Sequence, residues 1–299
     1  MKLLAGMATG MWLLLGAAPV ANGGMAPDPR PGDTVLGKSG GITYVSDPDF
    51  AAMATFTETG ATCPDVPGRW RIAGGGFDVT GGADSTQTVA SSAPADMLDD
   101  YGDNDLFRDD FWRVSAGVSV GTTVTSYAIC TKWSGLKYKD KSVPNSPSGE
   151  RSHVVKCGRG KVSGGGGGIS TADSYVSSMF PKKRKRWKFS AYDTVGGIGG
   201  MNNYVICARN RKFQIVKDEV SVPAGGSSAL LAAECFPGQS VVGGGAKSSG
   251  APGTLSLRAS RPYDTSDLDG IPSNGWAVRA FSTDPGVQTL KVYAICHPG

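Results

Sequence analysis

Between residues 182 and 188 the chain reads Lys182-Lys183-Arg184-Lys185-Arg186-Trp187-Lys188, six cations around one indole. Such a run can hold a phosphate, sulfate or carboxylate polymer by charge, with Trp187 as a stacking face, or it can be a salt-screened turn. Two other segments occupy matching places with different chemistry. The first is acidic: Asp96, Asp99, Asp100, Asp103, Asp105, Asp109 and Asp110. Within it Asp99, Asp100, Asp103 and Asp105 offer oxygen ligands at the short spacing a hard cation such as Ca2+ requires, without fitting an EF-hand. The third is milder, with Asp264, Asp267 and Asp269 before Gly270. Divergent loops at matching positions of a rigid scaffold are where function is expected. The expected ligand-binding residues are therefore the run from Lys182 to Trp187, with Asp264, Asp267 and Asp269, although the register of Trp187 with Trp112 and Trp276 favours a packed strand residue over a stacking platform. Pairing of the acidic loop with the basic one is a third use, and it leaves neither free.

Catalytic patterns are weak by comparison. Paired carboxylates beside an aromatic can hydrolyse a glycoside, and Asp109, Asp110 or Asp264 with Trp112 or Trp276 would be the candidates. His153 and His297 suggest no nucleophile and base pair, so the sequence reads as a non-enzyme. None of the glycine runs Gly74-Gly75-Gly76, Gly164 to Gly168 and Gly243-Gly244-Gly245 has the phosphate-loop pattern, in which spaced glycines lead directly into a lysine and Ser/Thr at the start of a helix. Glycine after a strand more often serves a bulge or close backbone packing.

These segments sit in a chain that repeats. Tyr127-Ala128-Ile129-Cys130, Tyr204-Val205-Ile206-Cys207 and Tyr293-Ala294-Ile295-Cys296 are the same strand end, each downstream of another cysteine, a glycine triplet and a Ser-x-Pro or Ser-x-x-Pro element. Successive last cysteines are 77 and then 89 residues apart. The divisions follow: residues 1–24 as a signal peptide, 25–41 as an extended proline-rich leader, and β repeats at 42–130, 131–208 and 209–299. Forty-four glycines, eighteen prolines and short alternating runs such as Trp276-Ala277-Val278-Arg279-Ala280 predict an all-β fold of antiparallel strands. Units of this length are too long for trefoil lobes and too few for an ordinary propeller. A pseudo-threefold β-prism is the preferred arrangement, three tandem small β-sandwiches the alternative.

Six cysteines, two per repeat, read as three disulfides of an oxidising compartment. Symmetry leaves two pairings: within repeats (Cys63 with Cys130, Cys157 with Cys207, Cys235 with Cys296) or between neighbours (Cys130 with Cys157, Cys207 with Cys235, Cys63 with Cys296). The first is favoured because it ties the start of each unit to its last strand. Two histidines and no Cys-x-x-Cys argue against zinc as the use of the thiols. The segment from Lys2 through Met11-Trp12-Leu13-Leu14-Leu15 to the small residues before Gly24 reads as a secretory signal. It is short of the roughly 20 residues a bilayer span needs, so no membrane span is expected. Loss of Lys2 takes the formal charge from +4 to +3, too small a balance to imply nucleic acid.

The order Cys-Phe-Pro-Gly (235 to 238), Gly243-Gly244-Gly245, Ser260-Arg261-Pro262, Trp276 and Tyr293 to Cys296 resembles a module of exported bacterial proteins of unassigned activity. The threefold β arrangement resembles, as architecture, the prism of vitelline membrane outer layer proteins and jacalin-type lectins. That resemblance implies sugar binding at loops on one end of the prism, although no sugar-binding residue of either family matches a position here. The reading is a secreted binding module for an extracellular glycan or anionic polymer. Its alternatives are a secreted glycoside hydrolase or a structural surface protein. No cofactor is expected other than Ca2+ at the acidic loop.

Overall fold

The computed structural model describes residues 32–51, 55–64, 70–82, 87–95, 111–144, 148–169, 174–194, 200–264 and 269–298. The signal segment, residues 25–31 of the leader, and the acidic run from Asp96 to Asp110 with its four suggested Ca2+ ligands lie outside these residues. So does Asp267. The described residues hold nineteen strands and no helix. In chain order the first repeat region contributes β1 (Thr34–Ser39), β2 (Ile42–Ala51), β3 (Thr55–Thr62), β4 (Arg71–Thr80), β5 (Thr88–Ala95), β6 (Phe111–Val118) and β7 (Thr122–Thr131). The second contributes β8 (Leu136–Val143), β9 (Gly149–Lys156), β10 (Lys161–Ile169), β11 (Ser174–Lys183), β12 (Arg186–Asp193) and β13 (Met201–Ala208). The third contributes β14 (Gln214–Val222), β15 (Leu231–Glu234), β16 (Gln239–Ser248), β17 (Leu255–Tyr263), β18 (Gly275–Ser282) and β19 (Gln288–Pro298). The leader's last residues are thus an edge strand, β1, paired antiparallel with β2.

Three antiparallel sheets result, with orders β1-β2-β7-β4-β17-β18-β15, β3-β6-β5-β10-β13-β8 and β14-β19-β16-β11-β12-β9. We call them A, B and C. Each is built from two repeats. The glycine strand of one repeat pairs at its edge with a hairpin of the preceding one: β4 with β17, β10 with β5, β16 with β11. The three joints close a ring with pseudo-threefold symmetry, and the arrangement of three separate sandwiches is excluded.

Alternation in the strands fixes which face is inward. In β7 the buried Val124, Ser126 and Ala128 alternate with the half-buried Thr123, Thr125 and Tyr127, as a sheet with one covered face demands. A fully buried tryptophan fills each repeat: Trp112, Trp187 and Trp276. A Cβ added to Gly75 would strike Trp112, one on Gly165 would strike Trp187, and one on Gly244 would strike Trp276. The middle glycine of each triplet is therefore the floor on which the indole lies. The first glycine meets its counterparts instead. A Cβ on Gly74 would overlap the Val242 carbonyl, one on Gly164 would press on Gly74, and one on Gly243 would overlap the Ser163 carbonyl. The three sheets come together there, backbone against backbone, which only glycine permits. The glycine runs are thus packing devices, as their sequence context suggests.

The disulfides are Cys63–Cys130, Cys157–Cys207 and Cys235–Cys296, all within repeats. Each closes a stretch of 67, 50 or 61 residues, and in the loop-entropy account each removes about 4 kcal/mol of unfolded-state freedom. No helix among the described residues is long and apolar enough to cross a membrane.

Candidate functional site

The basic run is the tip of the β11–β12 hairpin. Lys183 and Arg186 face each other across the turn residues Arg184 and Lys185. Those turn residues use their backbone to dock: the Cys157 amide donates to the Lys185 carbonyl at 3.0 Å, and the Val162 amide donates to the Arg184 carbonyl at 2.9 Å. The tip is therefore held against the β9–β10 turn, beside the Cys157–Cys207 disulfide. Its side chains stay outside. Lys182, Lys183, Arg184 and Lys185 are exposed and Arg186 half-buried.

That docking brings in cations the linear motif did not include. Lys156 stands opposite Arg186 in the ladder between β9 and β12, and Arg159 and Lys161 flank the turn that receives the tip. Eight basic side chains share this end of the second repeat, and none makes an ion pair with another described residue. Mutual repulsion within such a lobe disfavours the folded state locally. A polyanion relieves it.

Trp187 does not belong to this surface. It is fully buried, because strand alternation turns it inward between the outward-facing Arg186 and Lys188, and its place among the expected ligand-binding residues is corrected. Its Nε1 has no hydrogen-bond partner. The reason lies one strand away: Trp112 Nε1 donates to Ser92 Oγ and Trp276 Nε1 donates to Ser260 Oγ, both at 2.9 Å. In the second repeat the corresponding place two residues before the proline is Met179, not the Ser178 that a Ser-x-x-Pro reading brings forward.

Asp264 and Asp269 bracket the β17–β18 connection. Asp264 accepts from the Gly270 amide at 2.9 Å and Asp269 from the Ile271 amide at 2.7 Å, so both carboxylates are engaged in shaping their own loop. Among the described residues no three His, Cys, Asp or Glu side chains group as metal ligands. The tryptophans suggested as substrate faces for a hydrolase, Trp112 and Trp276, are fully buried. Of the two histidines, His297 lies against Trp133 at 4.7 Å and Phe213 at 5.8 Å between ring centroids. Burial first, and then the charge of Arg211, hold its pKa below the usual imidazole value. His153 is also lowered, by desolvation and by Lys141. Neither faces a nucleophile that the structure describes.

The outer face of sheet C carries a feature that no local sequence pattern assembles. A cleft of about 180 Å³ lies between β11, β12 and the loop after β16, lined by Glu150, Ser177, Ser178, Phe180, Lys188 and Lys247 among others. No known protein family matches the sequence, and no curated protein does either.

Proposed function

We propose that this is an exported, disulfide-stabilised binding module for an extracellular anionic polymer of the carbohydrate class, engaged by the basic lobe of the second repeat. The observation that carries the reading is the lobe itself: eight cations assembled from the β11–β12 tip and the β9–β10 turn, with no ion pair to another described residue. Cations without an ion pair to a described residue are open to an anionic partner. Three disulfides fit an oxidising environment, where acidic glycans are abundant polyanions. Binding is the role this exposed cluster of like charges supports.

The test is affinity for heparin-like and uronate polysaccharides as a function of salt. Binding through several charge contacts releases counterions, so affinity should drop by about tenfold or more between 50 and 200 mM salt. Replacing Lys183, Arg184 and Lys185 by Ser should weaken it comparably at low salt. Binding that ignores both salt and the triple substitution, or no binding to either polymer, overturns the proposal.

A further inference from the structure

The same position on the three sheets carries three chemistries. On sheet A, at the joint of β4 with β17, Asp78 accepts from Arg261 Nε at 2.8 Å and lies 3.5 Å from Arg279 Nη2. Arg261 in turn sits 5.6 Å from the Tyr127 ring and 5.3 Å from the Tyr263 ring. Charge there is consumed within the protein. On sheet B the equivalent of Asp78, two residues past the glycine triplet, is Gly168. On sheet C it is Lys247, whose neighbour Ala246 pairs with Met179. Ala246 and Met179 point into the core, so Lys247 points out.

Lys188 shares that outer face, being opposite Phe180 in the ladder and adjacent to the inward Trp187. Glu150 shares it too, opposite Tyr192. Lys188, Lys247 and Glu150 make no ion pair with a described residue. Between them Phe180 gives an apolar floor, its ring stacked 5.2 Å from Tyr293.

A bulge supplies the second observation. The ladder of β11 with β12 shifts register between Val176 and Ser178, which makes Ser177 the extra residue. The corresponding extra residues are Ala90 in β5 and Arg258 in β17. Bulges re-aim a side chain, and here the one re-aimed lines the cleft. Ser177 is 5% exposed and its hydroxyl has no hydrogen-bond partner. Its neighbour Ser178 is occupied, accepting from the Ser248 amide at 3.0 Å. A buried hydroxyl without a partner is unfavourable, and a ligand oxygen would satisfy it.

We propose that this cleft is a subsite for one carboxylate-bearing sugar residue, a hexuronate. Lys188 and Lys247 take its carboxylate, Glu150 and Ser177 take ring hydroxyls, and the apolar side of the ring lies on Phe180. The size agrees: the cleft is smaller than the 300–1,000 Å³ typical of sites that enclose a drug-sized ligand. Arg186 and Lys188 project from the same face of β12, so the basic tip leads directly to the cleft. The inference rests on the polymer reading above and narrows it to carboxylated chains.

Titration of the full chain with methyl glucuronide, followed by backbone-amide NMR, decides it. The expected result is shifts at residues 177–178 and 247–253, a response at least tenfold weaker with methyl glucoside, and loss of that preference in Lys247→Gln. Ser177→Ala should weaken glucuronide binding while leaving the spectrum otherwise intact, which separates an altered site from an unfolded one. Shifts confined to other residues, or equal binding of the neutral sugar, overturn the subsite. If polysaccharides still bind with steep salt dependence in that case, the polymer reading stands alone. If the glucuronide titrates the cleft and no polymer binds, the reverse holds.

Discussion

Trp187 differs from Trp112 and Trp276 in a single bond, and the difference has a measurable size. Trp→Phe at 112 or 276 strands a buried serine hydroxyl, Ser92 or Ser260, in addition to removing ring volume. At 187 the same change removes an indole N–H that already lacks a partner. Trp187→Phe should therefore be the least destabilising of the three by about 1–3 kcal/mol in urea unfolding; equal costs would show that the serine bonds contribute nothing. His297 makes a second prediction at this scale. Its folded pKa is depressed from 6.5 by burial and Arg211. Above pH 6.5 folded and unfolded chains both hold it neutral and it contributes no pH dependence. As pH falls below that value the unfolded chain gains a proton that the folded one resists, so stability declines until the folded imidazole also titrates. His153 adds in the same direction. Unfolding free energy should thus be lower at pH 5.5 than at 7.5, and His297→Gln should reduce that difference. An unchanged pH slope in the variant would remove His297 from the account.

Elements explain why some of this was legible in the sequence and some was not. The β11–β12 hairpin was readable as a strand, a charged turn and a strand, because a run of cations cannot be buried. The disulfide pairing was readable because each cysteine pair brackets one copy of the same strand-end motif. The burial of Trp187 follows from its register with Trp112 and Trp276, yet the motif around it looks like an aromatic inside a basic patch, and only the pleat separates the two. What could not be read is lateral. Lys156, Arg159 and Lys161 join the tip because two backbone amides donate to its carbonyls, and Lys247 lines one cleft with Ser178 because Ala246 pairs with the distant Met179. No local pattern encodes such partners. The hairpin itself predicts a separation of roles: Ser at Lys183, Arg184 and Lys185 should alter stability by no more than about 0.5 kcal/mol, since only backbone carbonyls anchor the turn. Trp187→Ala should cost about 3–5 kcal/mol by calorimetry or denaturant melt. A large loss from the triple variant would mean the cations are structural.

At the scale of the whole molecule, each repeat folds two half-sheets over its own tryptophan and is closed by its own disulfide, yet it has two bare edges. One edge is its glycine strand, β4, β10 or β16, and the other is the hairpin strand β5, β11 or β17. Each glycine edge is completed by the hairpin edge of the preceding repeat, and β17 returns to β4 to close the circle. This is the geometry of a heterologous interface that closes after three steps, here contained within one chain. A single repeat therefore carries both halves of its own interface. The fragment 209–299, expressed under oxidising conditions, exposes β16 and β17 with unpaired backbone groups, and an open edge recruits another strand. Its Gly243 also loses the close approach of Ser163 and Gly164, which another copy's glycine strand can restore. The folded fragment should accordingly be a trimer by sedimentation equilibrium, and Gly243→Ala, which drives a methyl into a neighbouring carbonyl, should abolish the trimer. In the full chain the same overpacking should cost about 1–3 kcal/mol. A dispersed NMR spectrum from a monomeric fragment would show that the edges are not what holds the three repeats together.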